Sequence, residues 1–138
     1  MATHLIDTSA YARMQYEAVS DVLAPLIEAG VVGSCAPLDF EDLYQTRTPA
    51  EYRLVTSIRR NAYEHLLVAE DEWSRAFEVQ TVLASQSRLR GVGMSDLLIA
   101  AVAERNGLTL LHYDGDFDTI AEITGQDARW VVPRGQTP

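Results

Sequence analysis

The sequence predicts an α/β fold built on a largely parallel sheet. Short apolar runs alternate with longer stretches of helical periodicity along the chain, the pattern of successive strand–helix–strand units. At 138 residues and 47% hydrophobic, the chain has enough apolar side chains for one ordinary globular core. No repeat, low-complexity tract or linker divides it, so residues 1–138 are read as one domain.

Thr3–Ile6 reads as the first strand, and Asp7-Thr8-Ser9 can cap a helix after it. A helix fits Ser20–Ala29 and stops at Gly30. Val31–Cys35 is the second strand; Pro37 breaks it, and a helix follows through Tyr44. Thr48-Pro49-Ala50-Glu51 supplies an N-cap, a proline at the first helical position and a Glu three residues after the cap. That helix should reach Glu64, with His65–Val68 as the third strand. A long helix over Asp71–Leu89 comes next, then one over Asp96–Asn106 capped by Ser95 and closed by Gly107. Thr109–His112 is the fourth strand, Phe117–Thr124 a short helix, and Trp130–Val132 the last strand.

No apolar run approaches the roughly 18 residues of a membrane span, and Met1–Asp7 lacks the basic and apolar stretches of a secretory signal. The cytosol is the expected compartment. The single cysteine, Cys35, lies in an apolar stretch with no activating base beside it, and reads as a small core residue. The net charge is −9, and all 11 basic residues are arginine. Without lysine, a P-loop phosphate site and Schiff-base chemistry are excluded. So acidic a chain is also a poor nonspecific nucleic-acid binder, unless metal ions reverse its charge locally.

The acids themselves suggest where. In open parallel sheets, ligands bind beyond the carboxyl ends of the strands. Asp7 follows strand one, and Asp114 comes two residues after strand four. Asp96 opens a helix, and Glu41 lies early in the helix after strand two. Each also has an ordinary structural role open to it. Asp7 suits a helix cap, Asp96 the positive end of a helix dipole, Glu41 a solvated helix face, and Asp114-Gly115-Asp116 a turn. The helix beyond Asp96, Leu97–Ala103, is apolar all round and should be buried, so a carboxylate at its mouth needs a partner. Acids from four separate segments at one sheet edge are costly to assemble unless a cation sits among them. Hard oxygen ligands favour magnesium or manganese over zinc.

The segments Leu5-Ile6-Asp7-Thr8-Ser9, Phe40-Glu41-Asp42-Leu43-Tyr44-Gln45-Thr46-Arg47, Ser95-Asp96-Leu97-Leu98-Ile99-Ala100-Ala101 and His112-Tyr113-Asp114-Gly115-Asp116-Phe117 resemble the signature stretches of PIN-domain ribonucleases. Within that group the chain resembles the VapC toxins of bacterial toxin–antitoxin pairs, from about Thr3 to Pro133. The resemblance implies a PIN-like three-layer fold, a central parallel five-stranded sheet flanked by helices. It implies a Mg2+ or Mn2+ site that hydrolyses RNA phosphodiester bonds. Asp7, Glu41, Asp96 and Asp114 fall on its catalytic and metal-binding acids, and Asp116 on a further metal-site acid. Thr8 and Ser95 fall where hydroxyls orient those acids. It also implies a homodimer neutralised by a VapB-type antitoxin whose C-terminal segment enters the active-site groove.

Arginines are the remaining means of holding RNA, and Arg13, Arg47, Arg53, Arg59, Arg60, Arg88 and Arg90 are candidates. Tyr11, Tyr16, Tyr44 and Tyr113 suit packing better than base stacking. His65 and His112 lie in apolar strand contexts and read as structural. Among rivals, a receiver-type signalling domain lacks its lysine here, and a haloacid-dehalogenase-like phosphatase would show Asp-x-Asp where this chain has Asp7-Thr8-Ser9. A catalytically silent partner-binding module is the remaining alternative, separated by its lack of Mg2+-dependent RNA cleavage.

Overall fold

The computed structural model describes residues 1–138. Its centre is a sheet of short strands, β1 His4–Ile6, β2 Val32–Ser34, β3 Glu64–His65, β4 Thr109–His112 and β5 Ala128–Trp130. They lie in the order β3-β2-β1-β4-β5, and every pair is parallel. Parallel pairing demands crossovers, and helices supply them all. α1 (Thr8–Tyr11) and α2 (Glu17–Glu28) join β1 to β2, while α3 (Ala36–Tyr44) and α4 (Pro49–Ala62) join β2 to β3. α5 (Glu70–Ser85) and α6 (Met94–Arg105) lead to β4, and α7 (Asp116–Thr124) leads to β5.

Strand alternation sends successive residues to opposite faces, and two cores result. Leu5 and Leu110 enter the larger one, with Leu83, Ile99, Val102 and Phe117 from the helices. Ile6 and Leu111 enter the smaller one, with Ala10, Val19 and Leu23 from α1 and α2. The α/β three-layer architecture expected from the sequence is therefore observed. Leu97–Ala103 of α6 is buried throughout, as its uniform apolarity requires. Cys35 is buried too, and burial pushes its thiol up to about 12, as suits a small core residue. None of the helices is long and apolar enough to cross a membrane.

Several boundaries differ from expectation for identifiable reasons. The third strand is Glu64–His65, and both residues are exposed. As an edge strand it pairs only with β2, and the chain leaves after Leu66 N–H donates to Ser34 O at 2.7 Å. The last strand is Ala128–Trp130 because β4, its only neighbour, ends at His112. Val131 and Val132 are buried in the smaller core beyond the ladder, so their apolarity marks burial and not pairing. The long helix α5 ends at Ser85, where Ser87 turns to φ 57° and Arg88 N–H reaches back to Leu83 O at 2.8 Å. Gly93, not Ser95, is the N-cap of α6, which leaves Ser95 inside the first turn. His65 is exposed, whereas His112 is buried as a core residue.

The site follows from the strand order. The chain moves from β1 outward to β2 and β3, then crosses back to place β4 on the other side of β1. The order reverses between β1 and β4, and a crevice opens at their carboxyl ends. Asp7 and Asp114 follow those two strands.

Candidate metal centre

Asp7 is the N-cap of α1. Its Oδ2 accepts from Ser9 N–H at 2.9 Å and from the Ser9 hydroxyl, leaving Oδ1 without a protein donor. Ser9 Oγ also accepts from Tyr113 N–H at 2.9 Å. One hydroxyl thus ties the residue after β1 to the residue before Asp114. The helix-capping role open to Asp7 in the sequence is real, but it uses only one of its oxygens. Burial holds the Asp7 carboxyl above the usual carboxylate range; the Ser9 bonds oppose the rise and the charge of Asp114 adds to it.

Across the crevice, Asp114 and Asp116 share a turn in which Asp116 N–H donates to Asp114 Oδ1 at 3.0 Å. The turn is fixed from below by His112, whose Nδ1 accepts from Asp114 N–H at 3.2 Å. That bond places the ring proton on Nε2. The imidazole lies 5.2 Å from the Phe117 ring and 5.2 Å from the Trp130 ring. His112 is thus a structural support, and burial lowers its pKa.

Asp96 is the third residue of α6, in the first turn, where the helix dipole favours an anion. Its carboxylate meets those of Asp114 and Asp116: one oxygen of each lies within 4.8 Å of the others. Burial, followed by the charges of Asp7, Asp114, Asp116 and Glu41, raises the Asp96 carboxyl to about 7. Glu41 completes the ring from α3. Its Oε1 accepts from Thr8 Oγ1 at 3.3 Å, and burial and the charge of Asp7 raise it.

The structure therefore brings every sequence-derived acid to one edge of the sheet, in two tiers. Asp96, Asp114 and Asp116 form the tight group, while Asp7 and Glu41 adjoin it. Asp116 belongs to the first tier, and burial and the Asp114 charge raise it. Of the hydroxyls implied by resemblance, Thr8 does orient an acid. Ser9, which the sequence reading passed over, performs the corresponding task for Asp7. The Asp-x-Ser spacing at the cap was the available signal.

No basic side chain is ion-paired with any of these acids. An uncompensated, partly buried group of carboxylates is stable only with protons or a cation among them. The all-oxygen donor set fits a hard divalent ion.

The arginines divide sharply. Arg59 is enclosed between Asp39 and Asp42, which take up its donors, while Arg88 is exposed and paired at the surface with Glu122. Arg13 donates to Ser9 O at 2.6 Å and lies over the Tyr113 ring at 4.2 Å. Arg47, Arg53, Arg60 and Arg90 are exposed. Arg134, not singled out by sequence, lies beside the acidic turn. A Cβ added to Gly115 would come within 3.5 Å of its Nη1.

Over residues 5–123 the chain matches the PIN domain family. Ribonuclease VapC21 of Mycobacterium tuberculosis (strain ATCC 25618 / H37Rv) is 39% identical over 132 residues, covering 96% of this chain and 96% of that protein. Ribonuclease VapC51 of the same strain is 41% identical over 133 residues, covering 96% of this chain and 95% of that protein. The crystal structure of DNA-bound VapBC from Salmonella typhimurium aligns with a TM-score of 0.76 at 16% identity, covering 96% of this chain and 100% of that chain. That last likeness speaks for the fold, and the first two for kinship along nearly the full length. The chain belongs to the PIN-domain family, within its VapC ribonuclease branch.

Proposed function

We propose that this chain is the toxin of a VapBC pair, an endoribonuclease that hydrolyses RNA phosphodiester bonds with Mg2+ or Mn2+ held by Asp7, Glu41, Asp96, Asp114 and Asp116. The observation that carries the reading is the uncompensated meeting of Asp96, Asp114 and Asp116 at the β1–β4 crevice. A divalent cation there supplies an acidified water and offsets charge developing on the phosphate. The chain's own groups do the positioning. Ser9 aims Asp7, the His112-supported turn presents Asp114 and Asp116, and Thr8 holds Glu41. Burial and the neighbouring acids raise the Asp96 carboxyl to about 7, so a cation held there would favour its charged form and would bind less well as pH falls.

The partners in this reading are an RNA substrate, a VapB-type antitoxin and a second copy of the chain, in the cytosol. Purified, antitoxin-free protein should cleave RNA with Mg2+ or Mn2+ and stop on chelation. Folded wild type that cleaves no RNA with either metal would favour the silent partner-binding alternative and overturn the proposal.

Arg134 offers a cation to the RNA backbone beside Gly115. Arg134→Ala should raise KM several-fold with a smaller change in kcat. It should also flatten the slope of log affinity against log salt by about 0.7, one phosphate contact on a single strand. An unchanged salt slope would remove Arg134 from the RNA path.

Phe40 and Tyr44, 74% and 89% exposed, stand one turn apart on α3. With Thr8, Glu41 and Gln45 they line an open depression of about 430 Å³. Tyr44 therefore lies outside the core and offers its face to an unpaired base next to Glu41. Such stacking contributes about 1–3 kcal/mol per base. Tyr44→Ala should raise KM about tenfold on single-stranded substrate, and an unchanged KM would exclude stacking there.

A further inference from the structure

Glu41 is bracketed on α3 by two acids, Asp39 and Asp42, whose carboxylates turn to Arg59. That arginine, on α4, donates from Nε to Asp39 Oδ1 at 2.7 Å and from Nη1 to Asp42 Oδ2 at 2.9 Å. Its Nη2 donates to Ser34 Oγ, at the end of β2, at 2.7 Å. Ser34 Oγ itself donates to Asp39 Oδ1 at 2.7 Å, and the guanidinium lies 4.9 Å from the Tyr63 ring centroid. The side chain is only 11% exposed. One planar cation therefore fastens α3 on both sides of Glu41, to α4 and to the sheet.

Apolar packing anchors α3 only at its N-terminal end, where Pro37 and Leu38 are buried, and α4 buries none of its residues fully. Glu41 meanwhile faces Asp7, a like charge that tends to push it out of the site. Its one direct restraint is the 3.3 Å bond from Thr8. A ligand held against repulsion needs a rigid support, and groups behind a metal ligand set its affinity in this way.

We propose that Arg59 is a positioning residue for the metal centre, clamping Asp39 and Asp42 so that α3 keeps the Glu41 carboxylate beside Asp7. The inference rests on the carboxylate metal site proposed above. It makes a prediction whose sign separates it from plain electrostatics. Removing Arg59 exposes two further negative charges near the site, and Coulomb attraction alone would then tighten cation binding. Loss of positioning loosens it.

The experiment measures Mn2+ affinity of the full chain by electron paramagnetic resonance of free Mn2+, with circular dichroism and thermal melting to score folding. Arg59→Ala should weaken Mn2+ binding about tenfold, within the range for partners behind a metal ligand. Arg59→Lys should fall between, since an ammonium cannot hold the planar fork of acceptors. Arg75→Ala breaks the ion pairs to Glu78 and Glu104 instead, and should bind Mn2+ as wild type does. Unchanged or tighter binding by folded Arg59→Ala overturns the proposal; if that variant does not fold, the same result for Arg59→Lys overturns it. The site itself is tested separately by Glu41→Gln. Absence of Mn2+ binding by wild type, or wild-type affinity in Glu41→Gln, defeats the underlying site reading and this inference with it.

Discussion

Replacing Asp96 with asparagine is expected to cut RNA cleavage by orders of magnitude while stabilising the metal-free protein at alkaline pH. The loss of activity follows from geometry, since Asp96 meets both Asp114 and Asp116, one oxygen of each lying within 4.8 Å of the others. A bound cation contributes several kcal/mol of charge stabilisation, and each 1.36 kcal/mol is tenfold in rate, so cleavage should fall by about 10²- to 10³-fold. The gain in stability follows from burial and crowding by like charges, which raise the carboxyl to about 7. Unfolded, the same group releases its proton near 3.9. Between those values the folded chain binds more protons than the unfolded one, so this group's contribution falls as pH rises and is fully unfavourable above about pH 7. Allowing for solvent screening at a half-buried site, the cost is about 1–3 kcal/mol. In chelator, the wild-type melting temperature should therefore drop between pH 5 and pH 8, and that of Asp96→Asn should drop less. Mg2+ at pH 8 should restore the wild type and leave the variant nearly unmoved. Equal melting behaviour with and without Mg2+ in the wild type would remove the coupling on which the site reading depends.

The parts legible in the sequence are those set by local chemistry or by uniform burial. Leu97–Ala103 declares α6 buried because no face of it is polar, and Asp96 must then open into something other than solvent. Thr48, Pro49 and Glu51 mark the start of α4, and Thr48 Oγ1 does accept from Glu51 N–H at 3.0 Å. Asp7 and Asp114 are legible because each follows a strand, and Asp96 and Asp116 because each opens a helix, whereas Glu41 lies past the middle of α3 and carries no such local mark. What escapes is whatever only the tertiary fold decides. The edge strands β3 and β5 end where their neighbours end, which apolarity cannot signal. Arg59 resembles any other exposed arginine of an amphipathic helix until α3 delivers Asp39 and Asp42 to it. Arg134 reaches the acidic turn from beyond the last strand, with no local pattern to announce it. The tiering of the acids is likewise a product of the turn at Asp114-Gly115-Asp116, whose internal hydrogen bond draws Asp116 inward.

That turn hangs on Phe117, and truncating this side chain should have the largest effect on stability. Phe117 is 1% exposed, and it is the second residue of α7, directly after Asp116. Its ring packs in the larger core and against His112, while its backbone N–H donates to Asp114 O at 3.2 Å. Phe117→Ala should cost about 3–5 kcal/mol, from lost transfer energy and the cavity left behind. Native domains in general are stable by only about 5–15 kcal/mol, so that is a large fraction. One local feature pulls toward the lower end. His112 Nε2 is buried without a hydrogen-bond partner, its closest acid oxygen, Asp118 Oδ1, standing 3.9 Å away. A cavity beside the imidazole can admit a water to that N–H and recover part of the loss. Phe117→Leu keeps most of the volume and should cost about 1–2 kcal/mol. Urea unfolding in chelator measures both, and the slope with denaturant should stay constant so that the midpoint alone moves. The site should register the same change. With its anchor gone, the turn loses the constraint that holds Asp114 and Asp116 toward Asp96, so folded Phe117→Ala should bind Mn2+ more weakly than Phe117→Leu. Wild-type Mn2+ affinity in folded Phe117→Ala would mean that the hydrogen bond from Asp116 to Asp114 and the support of His112 suffice to hold the turn. The core beneath it would then be a matter of stability alone.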